Sequence, residues 1–230
     1  MPTVILIPGL LCNRELWSSQ ISALKSYAET IVPDITQQTT ISEMAAAVLE
    51  KAPTQFSLAG FSLGSQIALE IMSTARHRVQ RLALLSTTRG GLLPATEAAI
   101  RRAIVTIEEG GFERYLDEAY FSYFAANRAD QARLRKIFLT MARAVGPRAG
   151  IRQMEALLAI RGPFADLDQI RCPTVIIGGR EDRRTTPEAH QELAREIPGS
   201  EIRIIDGAAH FTPIERPEEV AEILCRWISL

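Results

Sequence analysis

A serine lies between two glycines in the Gly-Phe-Ser-Leu-Gly sequence at residues 60–64. The preceding residues, 55–59, have the pattern of a buried strand, and residues 66–72 have that of an amphipathic helix. A strand that turns this sharply into a helix strains the serine backbone and requires glycine two residues away on either side. The helix N-terminus would favour negative charge developing on a bound carbonyl compound. The pattern predicts that Ser62 is a nucleophile; an ordinary glycine-rich turn is the alternative.

A serine hydroxyl is a weak nucleophile at neutral pH, so this chemistry also needs a base. The chain has three histidines. His77 lies in a charged stretch between a helix and a strand, and His190 lies at the polar start of a helix, so we expect both to be solvated. His210 lies in a loop of small residues after a strand at 201–205. Its position predicts that His210 is the base.

The base in turn needs an acid that orients its ring. Two carboxylates, Glu181 and Asp182, lie just past a buried run at residues 173–177, which is the strand before that of the histidine. We predict that Asp182 is the acid, with Glu181 as the second candidate. Asp182 could instead cap a helix, but Thr186 and Pro187 already supply typical helix-start residues nearby.

The elements that must position these residues alternate along the chain. We expect strands at residues 4–7, 30–32, 56–59, 82–85, 173–177 and 201–205, and helices at 16–24, 41–51, 66–72, 187–196 and 217–228. Such alternation predicts an α/β fold with a parallel sheet covered by helices on both faces.

The alternation is interrupted between residues 92 and about 165, which show no convincing strand. Helices are predicted there at residues 95–108, 112–124, 131–144 and 149–160. No repeat, low-complexity tract or linker marks a second domain, so residues 1–230 are expected to form one catalytic domain. Three arginines in or near this segment could bind a substrate carboxylate, although arginines on helix surfaces are usually solvated: Arg89, Arg148 and Arg152.

Four separated motifs make the chain resemble a serine hydrolase of the α/β-hydrolase superfamily along its whole length. They are the opening Val-Ile-Leu-Ile-Pro-Gly-Leu-Leu at 4–11, the turn at Ser62, the Gly-Arg-Glu-Asp at 179–182, and the Gly-Ala-Ala-His-Phe at 207–211 followed by Glu-Arg-Pro at 215–217. The order of nucleophile, acid and histidine also matches that of α/β-hydrolases.

The resemblance implies further features of the fold and of the site. Residues 92–165 would form a helical cap over the active site. The backbone N–H groups of Leu10 and Leu63 would form the oxyanion hole. Family members commonly have His-Gly where this chain has Pro8-Gly9, so Leu11 remains an alternative donor. The chain begins at the strand that carries this loop, and a sheet of about six mostly parallel strands is therefore expected.

Composition indicates which partners and compartment to expect. A net charge of −1 gives no electrostatic reason to expect nucleic acid or an anionic membrane as a partner. The cysteines, Cys12, Cys172 and Cys225, are odd in number and widely spaced, which favours reduced thiols over disulfides or a zinc site. With no signal-peptide pattern at the N-terminus, a cytoplasmic location is expected. Cys12 is expected to be a small buried residue rather than part of the pocket.

The predicted reaction is the hydrolysis of a small carboxylic ester, thioester or lactone through an acyl-enzyme on Ser62. This chemistry needs a small-molecule substrate and neither a metal nor an organic cofactor. A carbon–carbon bond hydrolase or a menaquinone-pathway-type lyase could use the same residues. A non-catalytic small-molecule receptor is the alternative from another class. The sequence does not indicate the oligomeric state.

Overall fold

In the computed structural model, residues 1–126 and 129–229 are described, so residues 127, 128 and 230 of the predicted domain lie outside the described part. The strands are β1 (Thr3–Ile7), β2 (Glu29–Ile31), β3 (Phe56–Phe61), β4 (Val79–Leu85), β5 (Thr174–Gly179) and β6 (Glu201–Ile205). The α-helices of these residues are α1 (Ser18–Leu24), α2 (Ile41–Lys51), α3 (Leu63–Ala75), α4 (Pro94–Glu108), α5 (Phe112–Tyr123), α6 (Gln131–Val145), α7 (Pro147–Leu158), α8 (Pro187–Glu196), α9 (Thr212–Glu215) and α10 (Pro217–Ser229).

The six strands form one sheet in the order β2-β1-β3-β4-β5-β6. Each pair of neighbouring strands is parallel. Because parallel strands end at the same edge of a sheet, the loops that follow β1, β3, β5 and β6 all emerge at its carboxyl edge. The expected sheet of about six mostly parallel strands is therefore confirmed.

Helices cover both faces of the sheet, and alternate side chains of β1 show how. Val4 and Leu6 pack on the face covered by α1 and α10, whereas Ile5 and Ile7 pack on the face covered by α2 and α3. These four side chains are buried, and each contributes roughly 1.5–3 kcal/mol to folding through removal of apolar surface from water. Burial on both faces explains why the strands have continuous apolar runs rather than alternating polar residues.

The helices α4 to α7 all lie between β4 and β5. Their bounds agree with the four helices predicted for residues 92–165 to within two residues, and no described residue of that segment is in a strand. Across the described ranges of the chain, no helix is both long and apolar enough to span a bilayer.

His190 is buried, so the prediction that it is solvated is wrong. Its ring lies over β5 at Gly178, where an added Cβ would come within 2.6 Å of His190 Cε1. His190 Nδ1 donates to the Thr186 carbonyl at 2.8 Å, and Nε2 accepts the Thr87 N–H at 3.3 Å. The polar residues around His190 suggested exposure, but its face of α8 packs against the sheet together with Leu193. Burial is the main cause that lowers the pKa of His190.

This lowered pKa predicts a specific dependence of stability on pH. Since unfolded chains take up the histidine proton at a higher pH than the native protein, unfolding becomes easier as pH falls below about 6.5. We expect the stability of the wild type to fall more steeply between pH 7.5 and 5 than that of His190→Gln, by at most about 1.4 kcal/mol per pH unit. Urea unfolding at several pH values measures both slopes.

A suitable control is Thr40→Ala, which removes a helix cap that does not titrate. Thr40 accepts the Glu43 N–H at the start of α2, and its loss should cost about 1 kcal/mol. This cost should be similar at every pH from 7.5 to 5, because hydrogen bonds from Thr39 and Thr40 hold the pKa of Glu43 below its usual value and so below this range. Equal slopes for the wild type and His190→Gln would contradict the assignment of a neutral buried histidine.

Candidate active site

Ser62 occupies a strained turn between β3 and α3. Its backbone has φ 53° and ψ −111°, which places a non-glycine residue in the left-handed half of the conformational map. A Cβ at Gly60 would collide with the backbone of Gly64, and one at Gly64 would collide with the carbonyls of Ile7 and Pro8. Glycine is therefore required at both positions, as the sequence pattern predicts.

The structure brings the predicted nucleophile, base and acid together at the carboxyl edge of the sheet. His210 Nε2 lies 2.9 Å from Ser62 Oγ, and His210 Nδ1 lies 2.8 Å from Asp182 Oδ2. Asp182 and His210 are both buried, so bulk water does not compete strongly for these hydrogen bonds. The arrangement can transfer a proton from the serine hydroxyl to the imidazole.

Asp182 is held by more than the histidine. Its Oδ1 accepts the N–H groups of Arg184 at 2.8 Å and Thr185 at 3.0 Å, and its Oδ2 accepts the Thr185 hydroxyl at 2.6 Å. Burial acts to raise the pKa of this carboxyl, but His210 and the bonds from Thr185 outweigh it and hold the pKa well below the usual range. Asp182 therefore stays ionised and fixed at neutral pH.

The competing candidates lie elsewhere. Glu181 is exposed, and its Oε1 accepts the Gly207 N–H at 3.1 Å rather than a proton of the histidine ring. His77 is exposed on the short 3-10 helix before β4, as expected. The geometry thus favours Asp182 over Glu181 as the partner of His210.

The loop that carries His210 is fixed through its backbone and its ring. The His210 N–H donates to the carbonyl of Tyr123, and the hydroxyl of Ser86 donates to the carbonyl of His210 at 2.7 Å. The Tyr123 ring also stacks on the imidazole, with a centroid distance of 5.5 Å, and the Arg184 guanidinium covers the Tyr123 ring at 4.6 Å. The last residue of α5 thus helps to hold the histidine in place.

Glu215 is a buried carboxylate in this region to which sequence reasoning assigned no role. Its Oε2 accepts the N–H groups of Ala209 at 2.9 Å and Phe211 at 3.1 Å, which are the two neighbours of His210. Its Oε1 accepts the N–H of Ala125, just beyond α5, at 3.0 Å. The position of Glu215 behind the histidine motif was the available signal, but its contacts could not be read from the sequence.

The loop after β1 lies beside Ser62, and the structure separates its two candidate donors. The N–H of Leu11 already donates to the side-chain oxygen of Gln153 at 2.9 Å. Leu10 and Leu63 both line the cavity at Ser62, and within the described part of the chain neither of their N–H groups has a protein acceptor. Leu10 and Leu63 are therefore better placed than Leu11 to bind a negatively charged oxygen.

A cavity of about 410 Å³ opens above these groups. Its base contains Ser62 and His210, and α4, α5 and α7 supply most of the remaining wall. The apolar part of the lining includes Leu10, Ile100, Ala103, Tyr115, Ala119, Met154, Leu157 and Ile160, and the polar part includes Gln66, Thr87, Thr88 and Thr185. This volume suits a small organic molecule.

The aromatic residues of α5 divide between the cavity and the core. Tyr115 and Tyr123 line the cavity, whereas Tyr120 and Phe124 pack in the buried cluster around Phe138. This stretch therefore contributes both to the cavity wall and to the core.

The arginines at the cavity differ from those predicted. Of the described lining residues, the cationic ones are Arg102 and Arg184, and the three arginines considered from the sequence are not among them. Arg89 pairs with Glu196 at 2.6 Å, and Arg152 donates to a backbone carbonyl of the loop before α2. These contacts occupy Arg89 and Arg152 outside the cavity.

Cys12 lies in the loop after β1 but is buried and absent from the described cavity lining. Burial raises the pKa of its thiol far above the usual value, so the thiolate is not formed at neutral pH.

The described residues also bear on metal binding. Residues 1–126 and 129–229 contain no group of three or more His, Cys, Asp or Glu side chains placed to hold an ion.

Comparison with known proteins extends these observations. A pimeloyl-acyl-carrier-protein methyl ester esterase from Nitrosomonas europaea is 22% identical, over 95% of this chain and 92% of that protein. The (E)-2-((N-methylformamido)methylene)succinate hydrolase of Acinetobacter baylyi is 22% identical, over 98% of this chain and 90% of that protein. A thermophilic esterase structure from Thermogutta terrifontis has a TM-score of 0.86 at 24% identity, covering 100% of this chain and 90% of that one.

A family model also matches the chain. The model described as the alpha/beta hydrolase family matches residues 4–223, which include the Ser62 turn, Asp182 and His210. Because this match spans most of the 230 residues, the protein belongs to the alpha/beta hydrolase family, and the predictions of that family and of a hydrolase are confirmed.

Proposed function

We propose that this protein is a serine hydrolase that cleaves a small carboxylic ester, thioester or lactone through an acyl-enzyme on Ser62. The observation that carries the proposal is the continuous hydrogen-bonded chain from Ser62 through His210 to Asp182 at the base of a cavity. A binding protein has no chemical need for a buried, ionised carboxylate that orients a histidine toward a strained serine.

In the first half of the reaction, His210 Nε2 takes the proton of Ser62 as the oxygen attacks the substrate carbonyl. Asp182 keeps the proton on Nδ1 and stabilises the imidazolium that forms. The N–H groups of Leu10 and Leu63 stabilise the oxyanion, and each is worth on the order of 3 kcal/mol in the transition state.

In the second half, His210 returns its proton to the leaving alcohol, thiol or lactone oxygen, and the acyl group remains on Ser62. The same imidazole then takes a proton from an incoming water, which attacks the acyl-enzyme. Collapse of this second tetrahedral species releases the acid and returns the proton to the serine. The residues needed for each step are present without a cofactor.

The helices α4, α5 and α7 act as the substrate-selecting cap in this proposal. They supply apolar side chains to the cavity wall, which favours an acyl group or leaving group with apolar character. The similar esterase of Nitrosomonas europaea is named for a methyl ester, which supports an ester as the substrate here. The cations Arg102 and Arg184 at the same cavity are the observation that favours an acidic substrate and hence the carbon–carbon hydrolase or lyase alternative.

The serine assignment predicts loss of labelling and turnover together. The native chain should form a single covalent adduct with a fluorophosphonate, detected by intact mass, and should hydrolyse p-nitrophenyl acetate or butyrate. Ser62→Ala should lose both and keep its circular dichroism spectrum. Ser122→Ala is a matched control, because Ser122 also lines the cavity and its hydroxyl donates to the Ala119 carbonyl; it should keep both activities.

The outcomes separate the remaining alternatives. Labelling of Ser62 without ester turnover would favour the carbon–carbon hydrolase or lyase. A folded native protein that neither reacts with the probe nor hydrolyses an ester would favour a small-molecule receptor, which should then show ligand-induced thermal stabilisation without product.

The acid assignment makes a separate prediction. Asp182→Asn should lower kcat by about 10⁴-fold, because an amide in place of the carboxylate stabilises the wrong tautomer of His210. Glu181→Gln should remain within a few-fold of the wild type, since its carboxylate is exposed and bonds Gly207 instead. Steady-state turnover of p-nitrophenyl butyrate measures both, and the reverse ranking of the two variants would make Glu181 the acid.

A further inference from the structure

Leu11, in the loop after β1, has an unusual backbone for its residue type. Its φ is 55°, a value that glycine adopts readily and that leucine rarely does, and its side chain is 1% exposed. A strained conformation of this kind persists only where surrounding contacts impose it. The residue directly follows Leu10, which lines the cavity, so the contacts that hold Leu11 act on the peptide unit next to Leu10.

The Cys12 N–H donates to the Gly9 carbonyl across Leu10 and Leu11, and helix α7 adds contacts from 142 residues further along the chain. The fully buried Gln153 accepts the Leu11 N–H at 2.9 Å, and its amide nitrogen donates to the Ile35 carbonyl at 3.3 Å. One turn earlier, Gly150 lies against the Leu11 side chain, where an added Cβ would come within 2.8 Å of Leu11 Cδ2. One helix thus holds both the backbone and the side chain of Leu11.

We propose that Gln153 is a positioning residue for the oxyanion hole, acting through Leu11 on the N–H of Leu10. By taking the Leu11 N–H, the Gln153 side chain fixes which N–H of the loop remains for the substrate. This inference rests on the proposed serine-hydrolase function. It also links substrate selection to the chemistry, since Met154 and Leu157 of the same helix line the cavity.

A purely structural role for Gln153 makes a different prediction. A buried glutamine that only satisfies backbone groups would affect the amount of folded protein but not the reactivity of each folded molecule. A residue that sets the oxyanion hole affects the transition state more than the ground state, and so lowers kcat with little change in KM.

The test is Gln153→Met, which keeps the approximate length and volume of the side chain and removes the acceptor. We expect kcat for p-nitrophenyl butyrate, per folded molecule, to fall roughly tenfold to a hundredfold, with KM within about threefold of the wild type. Binding of 1-butaneboronic acid, which forms a tetrahedral adduct on serine, should weaken by a similar factor as kcat. Competitive inhibition by butyrate should change little.

Arg78→Met serves as the control for a general loss of stability. Arg78 also bonds backbone carbonyls, those of Leu49, Ala52 and Pro53, but it lies before β4 at the amino edge of the sheet, opposite the site. The kcat of the Arg78→Met variant should equal that of the wild type, even where the variant unfolds at a lower urea concentration.

Each outcome decides one of the two proposals. A Gln153→Met variant with wild-type kcat and boronate affinity overturns the role of Gln153 and leaves the serine hydrolase intact. A wild type that neither turns over ester nor binds the boronate, run beside Ser62→Ala, defeats the proposed function instead. Where Gln153→Met does not fold, Gln153→Leu carries the test, because leucine also lacks the oxygen that accepts the Leu11 N–H, and an unchanged kcat per folded molecule in that variant overturns the inference.

Discussion

The close backbone contact between the start of α3 and the end of β1 is the constraint on which the site depends. Gly64 lies so near the carbonyls of Ile7 and Pro8 that no side chain fits there. This contact places the loop that carries Leu10 directly beside the strained Ser62. The proposed nucleophile and the proposed oxyanion donors are thus brought together by one steric fit between two backbone segments rather than by side-chain packing.

The parallel sheet supplies the remaining groups. Because β3, β4, β5 and β6 are consecutive neighbours, the loops that follow β3, β5 and β6 emerge side by side at the carboxyl edge. The end of β4 connects these loops. The Ser62 N–H donates to the carbonyl of Leu85, the last residue of β4, and the hydroxyl of Ser86 donates to the carbonyl of His210. The hydrogen bonds that join His210 to Ser62 and to Asp182 therefore follow from the strand order and from the short loops after these strands.

The sequence predicted the parts of this arrangement that depend on local pattern. Apolar runs predicted the strands and the type of sheet, and the glycine spacing predicted the strained turn at Ser62. Both features depend on residues that are near neighbours in the chain. The burial of His190, the hydrogen bond from the Leu11 N–H to Gln153 and the contacts of Glu215 escaped prediction. Each depends on which distant backbone group meets a polar side chain, and a polar residue on a helix has the same local pattern whether that partner exists or not.

The residues that escaped prediction share a consequence for how the molecule is organised. Gln153 ties α7 to the loop after β1, and Glu215 ties the end of α5 to the loop of His210. The helices that line the cavity therefore hold the backbone on both sides of Ser62 through buried hydrogen bonds. A change in these helices that admits a different substrate will also shift the groups that act on it, so that cavity shape and reactivity are expected to vary together rather than independently.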